Sequence, residues 1–294
     1  MRYRSFGRLG WSVSEIGFGA AWLPGSGERR NTLEDSATLV REALSLGVNY
    51  IDTARAYGPS EEILGQVLST VSQPYYLATK AGCTPGFDYS RDAVLRSFET
   101  SLRLLRRERI DLLQLHEAHS APFERLMGPG GALEALQQLK SQGLVRAIGV
   151  TGREPTVLAR LVDTGEFDSV LSYCDYDLTT RLAQETLIPV ARRRNVAVVL
   201  GSPLRCGQLT PSGRQRLRDN PSPEAARVAR LEAAFGDPGA PFQQVALRYL
   251  LGDPDPAVVL SGLASITELR DVLAAVAAGP LSATEMQTIR QIQD

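Results

Sequence analysis

The stretch Asn49-Tyr-Ile-Asp-Thr-Ala-Arg-Ala-Tyr-Gly58 decides the fold and the site that we predict for this chain. Its short apolar run is typical of a buried β-strand that ends at Asp52, and the loop that follows presents Tyr57. Two later strand-like runs also end in a titratable side chain, namely Lys80 and His116. Because the ends of parallel strands meet at one rim of an α/β barrel, we predict that these four side chains converge there.

Strand-like and helix-like segments alternate on both sides of this stretch. The predicted strands are Val13–Gly19, Asn49–Thr53, Tyr75–Thr79, Ile110–Leu115, Val145–Val150, Ser169–Tyr173, Ala197–Leu200 and Ala257–Leu260. The predicted helices are Thr32–Leu46, Ser60–Leu68, Arg91–Arg106, Gly131–Gln142, Pro155–Val162, Arg181–Arg194, Glu224–Phe235, Phe242–Leu251, Ile266–Ala278 and Leu281–Ile292. Eight strand and helix units in 294 residues predict an α/β fold, a closed (β/α)8 TIM barrel.

Segments outside the repeating units complete the predicted architecture. Met1 to Val13 favours a small hairpin that turns at Gly7 to Gly10, and additional helices follow the barrel near the C-terminus. We expect residues 1–294 to form a single barrel domain. The segment Arg205–Pro223, rich in Pro, Gly and Arg, is either a loop that orders over a ligand or an ordinary surface loop.

Specificity for a substrate would come from loops at the catalytic rim of the barrel. These loops are Trp22–Arg30, Glu117–Gly130 and Arg205–Asn220. Trp22 and His119 are candidate pocket walls, although packing or solvent exposure explains them equally well.

Composition indicates a folded enzyme that acts on a small molecule. With 32 basic and 33 acidic residues the formal net charge is -1, so no strong field attracts nucleic acid or an anionic membrane. The N-terminal residues lack the apolar segment of a signal peptide, and no run approaches the roughly 18 apolar residues of a membrane span. We therefore expect a cytoplasmic protein, either a monomer or a small homo-oligomer.

The cysteines favour free thiols over a structural role. Cys83, Cys174 and Cys206 are odd in number, far apart in sequence and without CxxC spacing. This pattern argues against a disulfide framework and against a zinc site, so we predict no metal.

The four rim side chains together suggest proton transfer at an oxygen atom. A tyrosine has an ordinary pKa near ~10, and a neighbouring ammonium would lower it by favouring the phenolate. Asp52 paired with Lys80 would keep that lysine charged, and the imidazole of His116 would hydrogen-bond the substrate oxygen. Such a set supplies no hydride, so a bound redox cofactor has to provide it.

Over nearly its whole length the chain resembles a known family, the nicotinamide-dependent aldo-keto reductases. The motifs that carry the resemblance are Gly17-Phe-Gly19, Asn49 to Gly58, Ala78-Thr-Lys80, Asp111-Leu-Leu-Gln-Leu-His116, Gly143-Leu-Val-Arg-Ala-Ile-Gly149 and Ser202-Pro-Leu204. The resemblance implies that Tyr57 is the general acid/base, that Lys80 and Asp52 tune it, and that His116 orients the substrate oxygen. It also implies contacts between the cofactor and Gly19, Ala20, Asp52, Ser172, Tyr173, Ser202, Pro203, Leu204, Gly262, Ser265 and Glu268.

Within the family, two segments are most similar to the branch of L-galactose and L-fucose (D-threo-aldose) dehydrogenases. They are Leu171-Ser-Tyr-Cys-Asp-Tyr176 and Ser202-Pro-Leu-Arg-Cys-Gly-Gln-Leu-Thr210. The resemblance implies oxidation of the C1 hydroxyl of a free sugar to a lactone. A pyridoxal dehydrogenase belongs to the same branch, so the substrate is less well specified than the reaction.

Three positions depart from the common family pattern. Tyr173 occupies the place where most members have a glutamine that binds the nicotinamide carboxamide, and Gly201 replaces an aromatic residue that often stacks on nicotinamide. After the eighth strand, Ala264 and Glu268 stand where NADPH-preferring members have basic residues. Because a carboxylate repels a 2'-phosphate and accepts hydrogen bonds from a ribose hydroxyl, we predict NAD as the preferred cofactor.

NADP stays possible at the adenosine end. Arg270 lies two residues beyond Glu268, and a small loop shift would bring its guanidinium to a phosphate. Val272 aligns with an asparagine that usually binds adenine.

Two other functions are compatible with the sequence. One is an NADPH-dependent aldehyde or ketone reductase, which initial rates with both cofactors would distinguish. The other is a nucleotide-binding sensor module, which would not show multiple turnovers.

Overall fold

The computed structural model describes residues 1–25, 30–83, 86–236 and 241–294. An antiparallel hairpin comes first, formed by β1 (Tyr3–Phe6) and β2 (Trp11–Ser14). The parallel strands that follow are β3 (Ile16–Gly19), β4 (Tyr50–Asp52), β5 (Tyr76–Ala81), β6 (Ile110–Leu115), β7 (Val145–Gly152), β8 (Ser169–Tyr173), β9 (Ala197–Gly201) and β10 (Pro256–Gly262). They close into a barrel in the order β10-β3-β4-β5-β6-β7-β8-β9, so the predicted (β/α)8 fold is confirmed.

The first predicted strand was too long. Val13 and Ser14 belong to β2 and pair with β1 of the hairpin, and the barrel strand begins only at Ile16. At this turn the hydroxyl of Ser14 donates a hydrogen bond to the carbonyl oxygen of Ile16, at 2.6 Å. The buried carboxylate of Glu15 pairs with Arg2 and Arg4 of the hairpin.

The hairpin closes the end of the barrel opposite the predicted rim. Phe6, Trp11 and Val13 pack with the side chains that fill the barrel interior. The ring of Trp11 stacks on Tyr76, the first residue of β5, with 4.7 Å between ring centroids. The polar side chains at the strand ends therefore face the opposite, open end of the barrel.

The helices pack around the strands and bury their apolar faces against them. Their bounds are α1 (Leu33–Ser45), α2 (Ser60–Leu68), α3 (Arg91–Leu105), α4 (Phe123–Met127), α5 (Ala132–Ser141), α6 (Pro155–Asp163), α7 (Leu182–Thr186), α8 (Ile188–Arg194), α9 (Pro211–Asp219), α10 (Pro223–Phe235), α11 (Phe242–Leu251), α12 (Ile266–Ala278) and α13 (Ala283–Gln293). A capping box formed by Thr32 and Asp35 begins α1.

Three helical segments differ from the prediction. The single helix predicted over 181–194 is broken into α7 and α8, because Pro189 cannot donate the hydrogen bond that a continuous helix requires. The segment Arg205–Pro223 contains α9, which begins at the Thr210 cap with Pro211 in its first turn. The rim loop Glu117–Gly130 contains a short 3-10 helix and α4.

Residues 26–29 of the predicted rim loop Trp22–Arg30 lie outside the described residues. Within the described ranges, no helix combines the length and apolar character needed to span a bilayer.

Candidate active site

A buried ion pair forms the base of the candidate site. Asp52, the last residue of β4, accepts a hydrogen bond from the ammonium of Lys80, and both side chains are 1% exposed. Lys80 also donates to the carbonyl oxygen of Thr53 at 2.8 Å, and Gln114 donates its amide to Asp52 at 2.9 Å. Burial alone would lower the pKa of Lys80, but Asp52 and then Tyr57 raise it above its ordinary value. Lys80 is therefore a fixed, positively charged group.

Tyr57 reaches the ion pair from a tight loop after β4. The backbone N–H of Tyr57 donates to the carbonyl oxygen of Ala54 at 3.0 Å, and Gly58 follows with a φ of 57°. Ser60 fixes the far side of this loop, since its hydroxyl lies 2.9 Å from Thr53 Oγ1 and donates to the carbonyl of Ala20. The ring of Tyr57 lies with its centroid 4.7 Å from Lys80 Nζ.

His116 faces Tyr57 from the end of β6, two strands away from β4 in the barrel. The two rings meet edge to face, with 5.6 Å between their centroids. The backbone N–H of His116 continues the ladder to Ala81 at 2.8 Å, and the hydroxyl of Tyr89 donates to its carbonyl at 2.7 Å. Burial, and then the charge of Lys80, lowers the pKa of His116 to about 3. His116 is therefore a neutral imidazole at physiological pH and can share a hydrogen bond with a substrate oxygen.

Lys80 lowers the pKa of Tyr57, as predicted, but burial has a larger and opposite effect. Burial raises the pKa of Tyr57 above its ordinary value, Lys80 lowers it, and Asp52 raises it again. The expectation of a net depression was wrong, because removing the phenolate from water costs more than one paired ammonium returns. In this structure Tyr57 is a protonated phenol at neutral pH.

These four residues lie in the wall of a cavity of about 840 Å³ at the open end of the barrel. The cavity extends from Tyr57 and His116, past the ends of β8, β9 and β10, to the start of α12. The convergence predicted from three strand ends and the loop that carries Tyr57 is thus present in the structure.

The predicted cofactor contacts divide into two groups. Those in the cavity wall are Gly19, Asp52, Tyr173, Ser202, Pro203, Leu204, Gly262 and Glu268. Ala20, Ser172 and Ser265 are not part of this wall. Ala20 is fully buried, Ser172 donates its hydroxyl to Asp175 at 3.0 Å, and the hydroxyl of Ser265 caps α12.

Gly201 and Tyr173 lie side by side at the ends of β9 and β8. An added Cβ at Gly201 would lie 3.1 Å from the Cβ of Tyr173 and 3.2 Å from Leu171. The Tyr173 hydroxyl donates to Glu117 at 2.8 Å, which fixes its ring across the cavity. A side chain at position 201 would therefore be crowded by Tyr173 and Leu171, while the ring of Tyr173 lines the cavity beside it.

Trp22 closes the cavity on the side of the first strand. A Cβ at Gly262 would lie 2.6 Å from the indole of Trp22, so only glycine allows this approach. Trp22 is 50% exposed and lines the cavity, as the sequence suggested. His119 does not line it; its Nδ1 accepts a hydrogen bond from the backbone of Arg153 and lies 3.6 Å from Glu117.

Carboxylates line the far end of the cavity. Glu268 and Asp271 lie in the wall, together with Ala264 and Val272. The carboxylate of Glu268 accepts a hydrogen bond from the backbone N–H of Ala264 at 2.7 Å, which holds it at the first turn of α12.

Arg270, which the sequence left as a candidate phosphate ligand, is exposed and outside the cavity wall. Among the described residues, the cations in the wall are Lys80 at one end and Arg216 of α9.

Several wall residues were not predicted as site residues. Glu117 follows His116 directly and could have been found from its place at the strand end, whereas Arg216 was hidden in the segment taken as a loop. Gln243 and Gln244, in the first turn of α11, join the wall without any signal in the sequence.

Comparison with known proteins agrees with this geometry. The family model for the aldo/keto reductase family matches residues 15–294. This chain belongs to the aldo-keto reductase family. It is 31% identical to L-galactose dehydrogenase of Arabidopsis thaliana, over 99% of this chain and 92% of that protein. It is also 25% identical to pyridoxal 4-dehydrogenase of Microbacterium luteolum, over 91% of this chain and 90% of that protein.

A solved member of the family has the same architecture. The holo form of an aldo-keto reductase from Bacillus halodurans superposes with a TM-score of 0.82 at 28% identity, covering 100% of this chain and 97% of that one. The chain is therefore an oxidoreductase, and the family uses nicotinamide cofactors. The long cavity fits such a dinucleotide, because one end holds the proton-transfer residues and the other reaches the first turn of α12.

Proposed function

We propose that this protein is an NAD-dependent dehydrogenase that oxidises the C1 hydroxyl of a free aldose, similar to L-galactose or L-fucose, to a lactone. The observation that carries the proposal is a set of polar side chains at the Tyr57 end of the cavity. His116, Glu117 and Thr151 line the same end, so a substrate with several hydroxyl groups would find both donors and acceptors. The similarity to L-galactose dehydrogenase over the full chain supports the same reading.

In the proposed reaction, Tyr57 removes the proton of the C1 hydroxyl and His116 holds that oxygen through a hydrogen bond. A bound nicotinamide supplies the acceptor for the hydride that leaves C1. Lys80 stabilises the phenolate that must form on Tyr57, and Asp52 keeps the ammonium in place. The neutral state of His116 suits this role, since a neutral imidazole can donate to or accept from the oxygen.

NAD is the proposed cofactor because of Glu268. Its carboxylate is held at the start of α12 by Ala264, where it would repel a 2'-phosphate and accept from a 2'-hydroxyl. The position of Arg270 outside the cavity wall supports the same preference.

The alternative is an NADPH-dependent reductase of aldehydes or ketones. Two observations favour it: the raised pKa of Tyr57 keeps the phenol protonated, as reduction requires, and Arg216 lines the wall as a possible phosphate ligand. The similarity to pyridoxal 4-dehydrogenase also keeps an aromatic substrate open.

One experiment separates these reactions. Purified protein is assayed with NAD+ and NADP+ against a panel of free aldoses, L-galactose and L-fucose first, by the absorbance of the reduced nucleotide. The same protein is assayed with NADPH and NADH against aliphatic and aromatic aldehydes, including pyridoxal. We expect multiple turnovers with a sugar and NAD+; a higher kcat/KM for an aldehyde with NADPH would overturn the proposal.

A further inference from the structure

Two cysteines that are 32 positions apart in sequence meet beside the cavity. Cys174 directly follows β8, and Cys206 lies in the loop after β9. Their sulfur atoms are 3.3 Å apart, and both are free thiols. A disulfide needs about 2.05 Å between sulfurs, so a movement of little more than 1 Å would allow the bond. The spacing in the sequence had argued against any such pairing, and only the adjacent strands β8 and β9 bring the two together.

The two thiols have different surroundings. Cys174 is buried, at 7% exposure, whereas Cys206 is exposed and lines the cavity. The hydrogen bond from Cys174, aided by Ser202 and the charges of Arg153 and Arg205, lowers the pKa of Cys206 to about 6. The same hydrogen bond and burial raise the pKa of Cys174. The pair therefore combines an accessible Cys206, whose pKa is lowered, with an adjacent buried Cys174.

The loops that carry the two cysteines are connected by Arg205. Its guanidinium donates to the carbonyl oxygen of Cys174 at 3.0 Å and to the carboxylate of Asp177 at 2.9 Å. It also pairs with Glu224 of α10. Because Arg205 precedes Cys206 directly, these contacts hold Cys206 against Cys174, and the proximity of the sulfurs is a property of both loops.

We propose that Cys174 and Cys206 form an oxidation site, at which a hydroperoxide converts the two thiols to a disulfide when the cavity is empty. The Cys206 thiolate attacks the peroxide, the O–O bond breaks, and an alcohol or water leaves as Cys206 becomes a sulfenic acid. Cys174 then attacks the Cys206 sulfur, the S–S bond forms, and water leaves with the oxygen. The two thiols lose two electrons and two protons, and the hydroperoxide is reduced to water and an alcohol.

A ligand in the cavity would protect the pair. Cys206 and Ser202 share the wall that we expect a nucleotide to cover, so bound nucleotide reduces the access of peroxide to the thiolate. Oxidation of the empty protein does not depend on the proposed sugar chemistry. A wrong substrate assignment would therefore leave this inference intact.

The test treats fully reduced protein with hydrogen peroxide, stops the reaction with catalase, blocks remaining thiols with iodoacetamide and maps the peptides by mass spectrometry. We expect a cross-link between the peptides of Cys174 and Cys206 that dithiothreitol removes. Cys83→Ser keeps both partners and should give the same cross-link. Cys174→Ser and Cys206→Ser should each abolish it. Saturating NAD+ should slow its formation at least several-fold.

The rate of alkylation gives a second measurement, and its first part uses only the wild-type protein. Cys206 in the wild-type protein should react with iodoacetamide with a midpoint near pH 6, well below the ordinary cysteine pKa of ~8.5. Cys174→Ala, which removes the hydrogen bond, should move that midpoint to higher pH. Absence of the cross-link in the wild-type protein, or oxidation of Cys83 at the same rate as the pair, would overturn the proposal.

Discussion

At the scale of single residues, the site depends on competition between burial and charge. Lys80 stays charged in a buried place because Asp52 and the carbonyl of Thr53 accept its hydrogen bonds. The same burial raises the pKa of Tyr57, although Lys80 opposes the shift, and it makes His116 neutral. The sequence suggested the correct partners, but it did not show whether burial or a neighbouring charge has the larger effect on the pKa of Tyr57.

Replacing Tyr57 with phenylalanine removes only the hydroxyl. We expect kcat to fall by about 10²- to 10⁴-fold, the usual contribution of general acid–base catalysis, with little change in the Kd for nucleotide. Quenching of tryptophan fluorescence can measure that Kd, because Trp22 lines the cavity. A comparable weakening of nucleotide binding, or a loss of folded structure by circular dichroism, would mark Tyr57 as a structural residue instead.

The pH profile should report Tyr57 and not His116. Oxidation requires the phenolate, and the pKa of Tyr57 lies above its ordinary value near ~10, so kcat/KM should rise about tenfold per pH unit through the alkaline range. Reduction requires the phenol and should be flat at neutral pH. No ionisation should appear near pH 6.5, since the pKa of His116 is lowered to about 3. A bell-shaped profile with a limb at that pH would contradict the neutral state of His116.

At the scale of elements, α12 illustrates how a helix start becomes part of a binding site. Ser265 caps the helix, and Glu268 reaches back to the N–H of Ala264. A similar start begins α13, where Ser282 and Glu285 form a capping box away from the cavity. Because α12 directly follows the last barrel strand, its residue Glu268 lies in the wall of the cavity.

Replacing Glu268 with glutamine should alter cofactor preference. The amide oxygen still accepts the hydrogen bond of Ala264, while the negative charge is removed. We expect the ratio of kcat/KM for NADP+ over NAD+ to rise about tenfold, which corresponds to about 1.4 kcal/mol. Steady-state kinetics with both nucleotides measures the ratio.

Glu285→Gln is the matched control for this prediction. It makes the same change at a similar helix start outside the cavity wall, so it should leave the ratio unchanged. An equal effect of both substitutions, or none at Glu268, would remove the argument for NAD.

At the scale of the whole molecule, burial of His116 connects the site to stability. The unfolded side chain binds a proton below about pH 6.5, but the folded one stays neutral down to about pH 3. The unfolded state therefore binds more protons between these values. The stabilisation from neutral His116 is fully present above pH 6.5 and is lost as pH falls towards 3.

From this one group, the free energy of unfolding should fall by up to about 1.4 kcal/mol per pH unit over that range. Urea denaturation at several pH values measures the slope. His116→Asn, which has no titrating group, should have a shallower slope than the wild-type protein. His119→Asn removes the other histidine but keeps His116, and its slope should exceed that of His116→Asn. Equal slopes in the two variants would contradict the conclusion that burial lowers the pKa of His116.

The order of residues along the chain was enough to predict the barrel and the rim that carries the titratable side chains. Apolar strands and helices alternate with a regular period, and Asp52, Lys80 and His116 stand at strand ends that parallel topology brings to one rim. These features are local in sequence. Where the prediction failed locally, the reason was also local: α9 has few apolar residues but carries a Thr210 cap followed by Pro211, and Pro189 divides α7 from α8.

The tertiary structure alone decided the features that depend on distance and burial. These include the contact between Cys174 and Cys206, the crowding at Gly201 by Tyr173 and Leu171, and the place of Arg216 in the cavity wall. The net pKa of Tyr57 belongs with them. The desolvation of a titratable group depends on every atom packed around it. Contacts between loops depend on which strands are neighbours in the closed barrel. Neither can be read from the order of residues along the chain.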